Sequence, residues 1–119
     1  MERFDTVNEQ TTARYTAKLL DEIGAAVPSS ALTSLTLLLY DKATGQILNS
    51  RNTQNVLNAN GVSIDGSGNL TWVMDPADNA IVTDSNATEV HIAVFIGRWG
   101  VTKKVTHDLA ITVRNLRLS

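Results

Sequence analysis

The chain has 119 residues, 43% of them hydrophobic and 18% charged, with a formal charge of -2. That length carries one domain with a real core, and the near-neutral balance gives no global pull toward nucleic acid or an anionic membrane. With no cysteine in the chain, disulfides, thiolate metal sites and cysteine nucleophiles are all excluded.

Residues 1–11 are polar and lack a periodic apolar pattern, so they read as a flexible arm ahead of a domain over 12–119. They contain no apolar h-region, and no signal peptide is expected. Apolar runs such as 37–40 are far short of the roughly 20 residues a membrane helix needs. Over 12–20, Ala13, Tyr15, Ala17 and Leu19 alternate with Arg14, Thr16, Lys18 and Leu20, which predicts a strand. Gly24 and Pro28 mark 21–30 as a loop that crosses between sheets.

The strongest strand is 32–40, where Leu35, Leu37 and Leu39 share one face. Asp41 to Gly45 turns the chain, with Gly45 free to take positive φ. A short strand is expected over 46–50, then a meandering asparagine-rich connection over 51–60. Residues 62–64 and 70–74 flank Asp65-Gly66-Ser67-Gly68-Asn69, a hairpin signal. Asp75-Pro76-Ala77-Asp78-Asn79 reads as a turn or one turn of helix, capped by Asp75 with Pro76 at its first position.

An edge strand is expected at 80–82, and the longest strand over 89–99. There Val90, Ile92, Val94 and Ile96 oppose His91, Ala93, Phe95, Gly97 and Trp99. The last strand, 107–116, places Leu109, Ile111, Val113 and Asn115 on one face. About seven strands with frequent turns predict an all-β, immunoglobulin-like β-sandwich of antiparallel strands, with a β-barrel as the rival. The expected core is Leu35, Leu37, Leu39, Trp72, Val90, Ile92, Val94, Ile111 and Val113. Trp72 or Trp99 would fill its centre in place of the absent cysteine pair.

No catalytic residue, cofactor or metal ligand is assigned. His91 and His107 are the only histidines, and neither lies in a nucleophile-elbow pattern. His91 reads as a partly exposed sheet histidine. Asp75, Asp78, Asp84 and Glu89 form an oxygen-rich stretch, but their order is not that of an EF-hand loop, and turn aspartates are the simpler reading. Charge is segregated. No lysine or arginine occurs over 52–97, while Arg98, Lys103, Lys104, Arg114 and Arg117 face only Asp108 in the last quarter. With Trp99 the sole aromatic among these cations, a basic edge for protein contact is expected rather than a nucleic-acid platform, unless interleaved strands mix the charges.

Gly24 with Pro28, Leu35-Thr36-Leu37 with Tyr40-Asp41, Gly45, Arg51-Asn52 and Gln54-Asn55-Val56-Leu57 form one set of motifs. A second set is Asp65 with Gly68-Asn69-Leu70-Thr71-Trp72, Pro76-Ala77-Asp78-Asn79-Ala80-Ile81 and Glu89-Val90-His91-Ile92-Ala93-Val94-Phe95. Together they resemble the small immunoglobulin-like structural proteins of tailed bacteriophages and prophages. The resemblance implies a non-enzymatic virion accessory protein, assembled in the host cytoplasm in several copies, that binds capsid, neck or tail proteins. The residues expected to carry partner binding are Phe4 and Val7 of the arm with Arg98, Lys103, Lys104 and Arg117 of the basic edge. A carbohydrate-binding module is the alternative, its platform drawn from Trp72, Trp99, Tyr15 and Tyr40. Neither nucleic acid nor membrane is an expected partner.

Overall fold

The computed structural model describes residues 2–4 and 6–116. Its strands are β1 (Glu2–Arg3), β2 (Val7–Asn8), β3 (Ala13–Lys18), β4 (Ser34–Asp41), β5 (Gln54–Asn55), β6 (Val62–Ile64), β7 (Asn69–Met74), β8 (Thr88–Trp99) and β9 (Lys103–Arg114). A single 3-10 turn covers Pro76–Asn79. The protein is all-β, built from two sheets. The larger runs β1-β9-β8-β4-β5 with β2 also on β9, and the smaller runs β3-β7-β6.

The threonine-leucine alternation of β4 does what its period requires. Leu35, Leu37 and Leu39 are fully buried and Asp41 follows them on the same face. Antiparallel register sets Leu37 opposite Phe95 and Leu39 opposite Ala93 on β8, and Ala93 opposite Leu109 on β9. From the smaller sheet, Trp72 meets Phe95 edge to face at 5.6 Å and 78°, so the two inner faces share one core. Trp72, not the half-buried Trp99, fills its centre.

β8 presents the face opposite to the one expected. Glu89, His91, Ala93, Phe95 and Gly97 point inward, while Val90 and Val94 stand half-exposed on the outer face. Ile92 is buried at 2% exposure, but on that outer face. Both faces of β8 are apolar, so alternation alone does not choose between them. Steric room does: a Cβ on Gly97 would lie 3.0 Å from Leu32 Cδ2 and 3.1 Å from Val105 Cγ1. The small residues Ala93 and Gly97 therefore face in, where bulk from neighbouring strands leaves no space.

The N-terminal residues do not form a free arm. Glu2–Arg3 and Val7–Asn8 pair in parallel with β9, with Glu2 opposite Leu109 and Val7 opposite Val113. Phe4 packs edge-on against Tyr15 at 5.8 Å, and Val7 is 6% exposed. The unpaired edge of β9 offers backbone partners, and burying two apolar side chains offsets the cost of ordering the segment. The large sheet is consequently mixed rather than purely antiparallel.

Two other expectations move. Residues 46–50 make only a single bridge, Tyr40 to Ile47, and the edge strand beside β4 is Gln54–Asn55. From residue 49 to the start of β6 the chain takes left-handed backbone at Asn49, Ser50, Thr53, Asn58 and Asn60, a conformation that asparagine tolerates well. Residues 80–82 form no strand, and the Val82 N–H is turned instead to a carboxylate of β8.

The β6–β7 hairpin follows its sequence signal. Asp65 accepts from the Ser67 and Asn69 backbone N–H groups at 2.8 and 3.0 Å and from the Asn69 side-chain amide at 3.0 Å. The side-chain amide first, then the two N–H groups, hold the Asp65 carboxyl below its usual range. Its stabilising effect is thus present above the unfolded value of about 3.9 and lost as pH falls through the lower folded value. Replacing Asn69 by alanine is expected to move the Asp65 midpoint upward in a carboxyl-carbon NMR titration. An unmoved midpoint would remove the amide as the cause.

Candidate functional site

Two features of the large sheet gather chemistry, one on each face. On the inner face, Asp41 closes β4 directly opposite His91, and Glu89 lies two residues before His91 on the same side of β8. His91 is fully buried, Asp41 is 1% exposed and Glu89 5%. His91 Nε2 lies 2.9 Å from Glu89 Oε1 and 3.8 Å from Asp41 Oδ1. His91 Nδ1 meets no acceptor among the described residues.

Both carboxylates are held from behind. Glu89 accepts from the Val82 and Thr83 N–H groups, each at 2.8 Å, and from Asn86 Nδ2 at 2.9 Å. Burial pushes the Glu89 carboxyl up, but the Val82 N–H, His91, the Thr83 N–H and Asn86 together leave it below its usual range. Asp41 Oδ2 accepts from the Thr44 N–H at 3.1 Å and the Thr44 hydroxyl at 2.8 Å. An open cleft of about 440 Å³ abuts the cluster, with Asp41, Ala43, Asn86, Thr88 and Glu89 among its walls.

On the outer face, paired rows run across β4, β8 and β9. Leu38, Val94 and Asp108 form one row, Tyr40, Ile92 and Ala110 the next, and Val90 with Thr112 a third. No strand or helix of the described residues lies over them, yet Ile92 and Ala110 are buried and the other members half-buried. Exposed cations border this apolar strip. Arg98 pairs with Lys104 at one end and Arg114 with Thr88 at the other, while Arg3 stands beside Ala110. Arg3 and Lys42 together border a small recess over Val90 and Ala110. Asp108 is the one acid in these rows.

The expected partner-binding residues divide accordingly. Arg98 and Lys104 converge on the outer face. Lys103 sits on the opposite side of β9, where its ammonium pairs with Glu22 of the same chain. Phe4 and Val7 are used inside the fold, as described above, and Arg117 lies outside the described residues. The Glu22–Lys103 pair joins two loops that carry bare apolar side chains, Ile23 at 82% exposure and Val101 at 101%. These stand at the Arg98–Lys104 end of the sheet.

His91 is buried rather than partly exposed, because β8 turns its other face outward. The acidic stretch does not converge either: Asp78 faces Arg51, and Glu89 faces His91. Sequence reading missed Asp41 altogether. The signal available was the Glu89-x-His91 spacing, which places an acid and an imidazole on one face of any strand. Of the possible aromatic platform, Trp72 and Tyr15 are buried, and Trp99 and Tyr40 lie on opposite faces of the large sheet. No helix among the described residues is long and apolar enough to cross a membrane.

The sequence matches no protein-family model and no curated protein. Among solved structures, the fold is similar to part of a family 123 glycoside hydrolase from Clostridium perfringens, studied for glycolipid glycan hydrolysis. Identity is 10% and the TM-score 0.32, over 98% of this chain and 23% of that one. A likeness of that size carries no functional argument.

Proposed function

We propose that this chain is an immunoglobulin-type β-sandwich that serves as an accessory docking subunit of a tailed-phage virion, seated on a neighbouring virion protein through the outer face of β4, β8 and β9. The observation that carries the reading is that face itself: a largely apolar strip, half-buried along Leu38, Tyr40, Val90 and Val94, bordered by Arg3, Lys42, Arg98, Lys104 and Arg114 on a chain whose net charge is -2. Half-buried apolar side chains on an outer sheet face supply area that a partner can cover. The surrounding cations define the partner as a protein surface with an apolar centre and a carboxylate rim. Motif resemblance supplies the virion context, and the role is one of binding rather than catalysis. The carbohydrate-binding alternative draws less support, since its aromatics do not share a surface.

Exchanging Arg98 and Lys104 for glutamate is expected to weaken co-sedimentation with virions assembled without this chain by roughly tenfold at low salt. Wild-type binding should fall as ionic strength rises, and the variant should lose most of that dependence. Arg14→Glu with Lys18→Glu, on exposed positions of β3 in the other sheet, should bind as wild type does. Equal losses in both variants, or none in either, would place the contact elsewhere.

A further inference from the structure

From the inner-face cluster, and independently of the docking surface, we infer that Asp41, Glu89 and His91 bind a first-row divalent cation, with Zn²⁺ the best match to the donor set. Charge is the first reason. Two carboxylates lie within 4.8 Å of one imidazole, all three side chains are buried, and no lysine or arginine pairs with either acid among the described residues. Buried like charges at such range need a cation between them. His91 Nδ1 meets no acceptor among the described residues, so the ring's one hydrogen bond there is the Nε2 contact with Glu89.

A free donor is the second reason. Asp41 Oδ2 is occupied by Thr44, but among the described residues no hydrogen bond reaches Asp41 Oδ1, which points at His91 Nε2 across 3.8 Å. That gap is too long for a hydrogen bond. A tetrahedral ion with bonds of about 2.0–2.2 Å spaces its donor atoms roughly 3.3 Å apart. The two Nε2–oxygen separations, 2.9 and 3.8 Å, bracket that value.

The supporting shell is also in place. Thr44 fixes Asp41, while Val82, Thr83 and Asn86 fix Glu89, as ligating carboxylates require. The cleft beside Asp41 and Glu89 gives the ion a route in. On entry, the Nε2 proton leaves for solvent and the Nε2–Glu89 hydrogen bond is exchanged for two bonds to the metal. Three protein donors leave a fourth position for water. One nitrogen and two oxygens favour Zn²⁺ or Mn²⁺ over Ca²⁺, which takes oxygen alone.

The test is calorimetric titration of the chelator-stripped whole chain with Zn²⁺, Mn²⁺ and Ca²⁺, alongside ¹⁵N NMR of the imidazoles. One Zn²⁺ per chain is expected, with a shift of the His91 Nε2 resonance and none at His107. Asp41→Asn keeps an oxygen for Thr44, so its fold should persist in the amide spectrum while Zn²⁺ affinity drops at least about 100-fold. Thr44→Val touches no metal donor and should lose about tenfold by loosening Asp41. Absence of Zn²⁺ and Mn²⁺ binding by the folded wild type, or equal affinity in Asp41→Asn, would overturn the inference. So would a shift at His107 alone.

Discussion

Replacing Asp78 by alanine is expected to lower the free energy of unfolding by about 3–5 kcal/mol, because it strands a buried guanidinium. Arg51 is 3% exposed and the Asp78 side chain is fully buried. Arg51 Nε and Nη2 donate to the two Asp78 oxygens at 2.5 and 3.1 Å, a forked pairing that also fixes direction. Asn49 Nδ2 adds a third bond to Asp78 at 2.9 Å, and the Asp75 N–H a fourth, also at 2.9 Å, which closes the capping box of the 3-10 turn. Without the carboxylate, Arg51 keeps only Gln54 Oε1 at 3.1 Å and the Trp72 ring at 5.8 Å. Urea unfolding of Asp78→Ala measures the loss. Arg51→Met combined with Asp78→Leu should recover much of it, since an apolar pair needs no charge compensation. A double variant as unstable as Asp78→Ala would shift the cause from the stranded charge to the broken cap.

Trp72→Ala is the other large effect, at about 3–5 kcal/mol. The indole is fully buried at the meeting of the two sheets, edge-on to Phe95 and under Arg51. Its Nε1 meets no acceptor among the described residues, so the ring contributes through contact area rather than a hydrogen bond. Trp72→Phe should therefore cost much less than Trp72→Ala, because it keeps an aromatic edge contact and removes an unpaired N–H. Equal losses for the two substitutions, read from denaturant midpoints at unchanged slope, would mean that indole size alone matters.

These two residues also mark where sequence reading succeeds and where it stops. Trp72 in the core, the Asp65 hairpin and the Asp75-Pro76 cap were legible because each rests on chemistry within a few residues. Leu35, Leu37 and Leu39 were legible because their strand alternates polar with apolar. β8 was not, since Val90 and Ile92 look as ready for the interior as Ala93 and Phe95, and only the room beside Leu32 and Val105 decides. Arg51 and Asp78 stand 27 positions apart, and Asp41 meets His91 through strand register. Pairings of that kind are set by how strands align, which local pattern does not encode. The arm was misread for a related reason. Val7 gains its burial on β9, far along the chain, and Phe4 packs against Tyr15 of the first strand of the other sheet.

The parallel seating of the first residues on the last strand also fixes when the molecule can be finished. Glu2 has its backbone partner at Leu109 and Val7 at Val113, so nearly the whole chain must leave the ribosome before this edge can close. Closing so long a loop comes late and slowly. Until then the β9 edge is open, and a neighbouring nascent copy can offer the same Glu2–Asn8 segment to it.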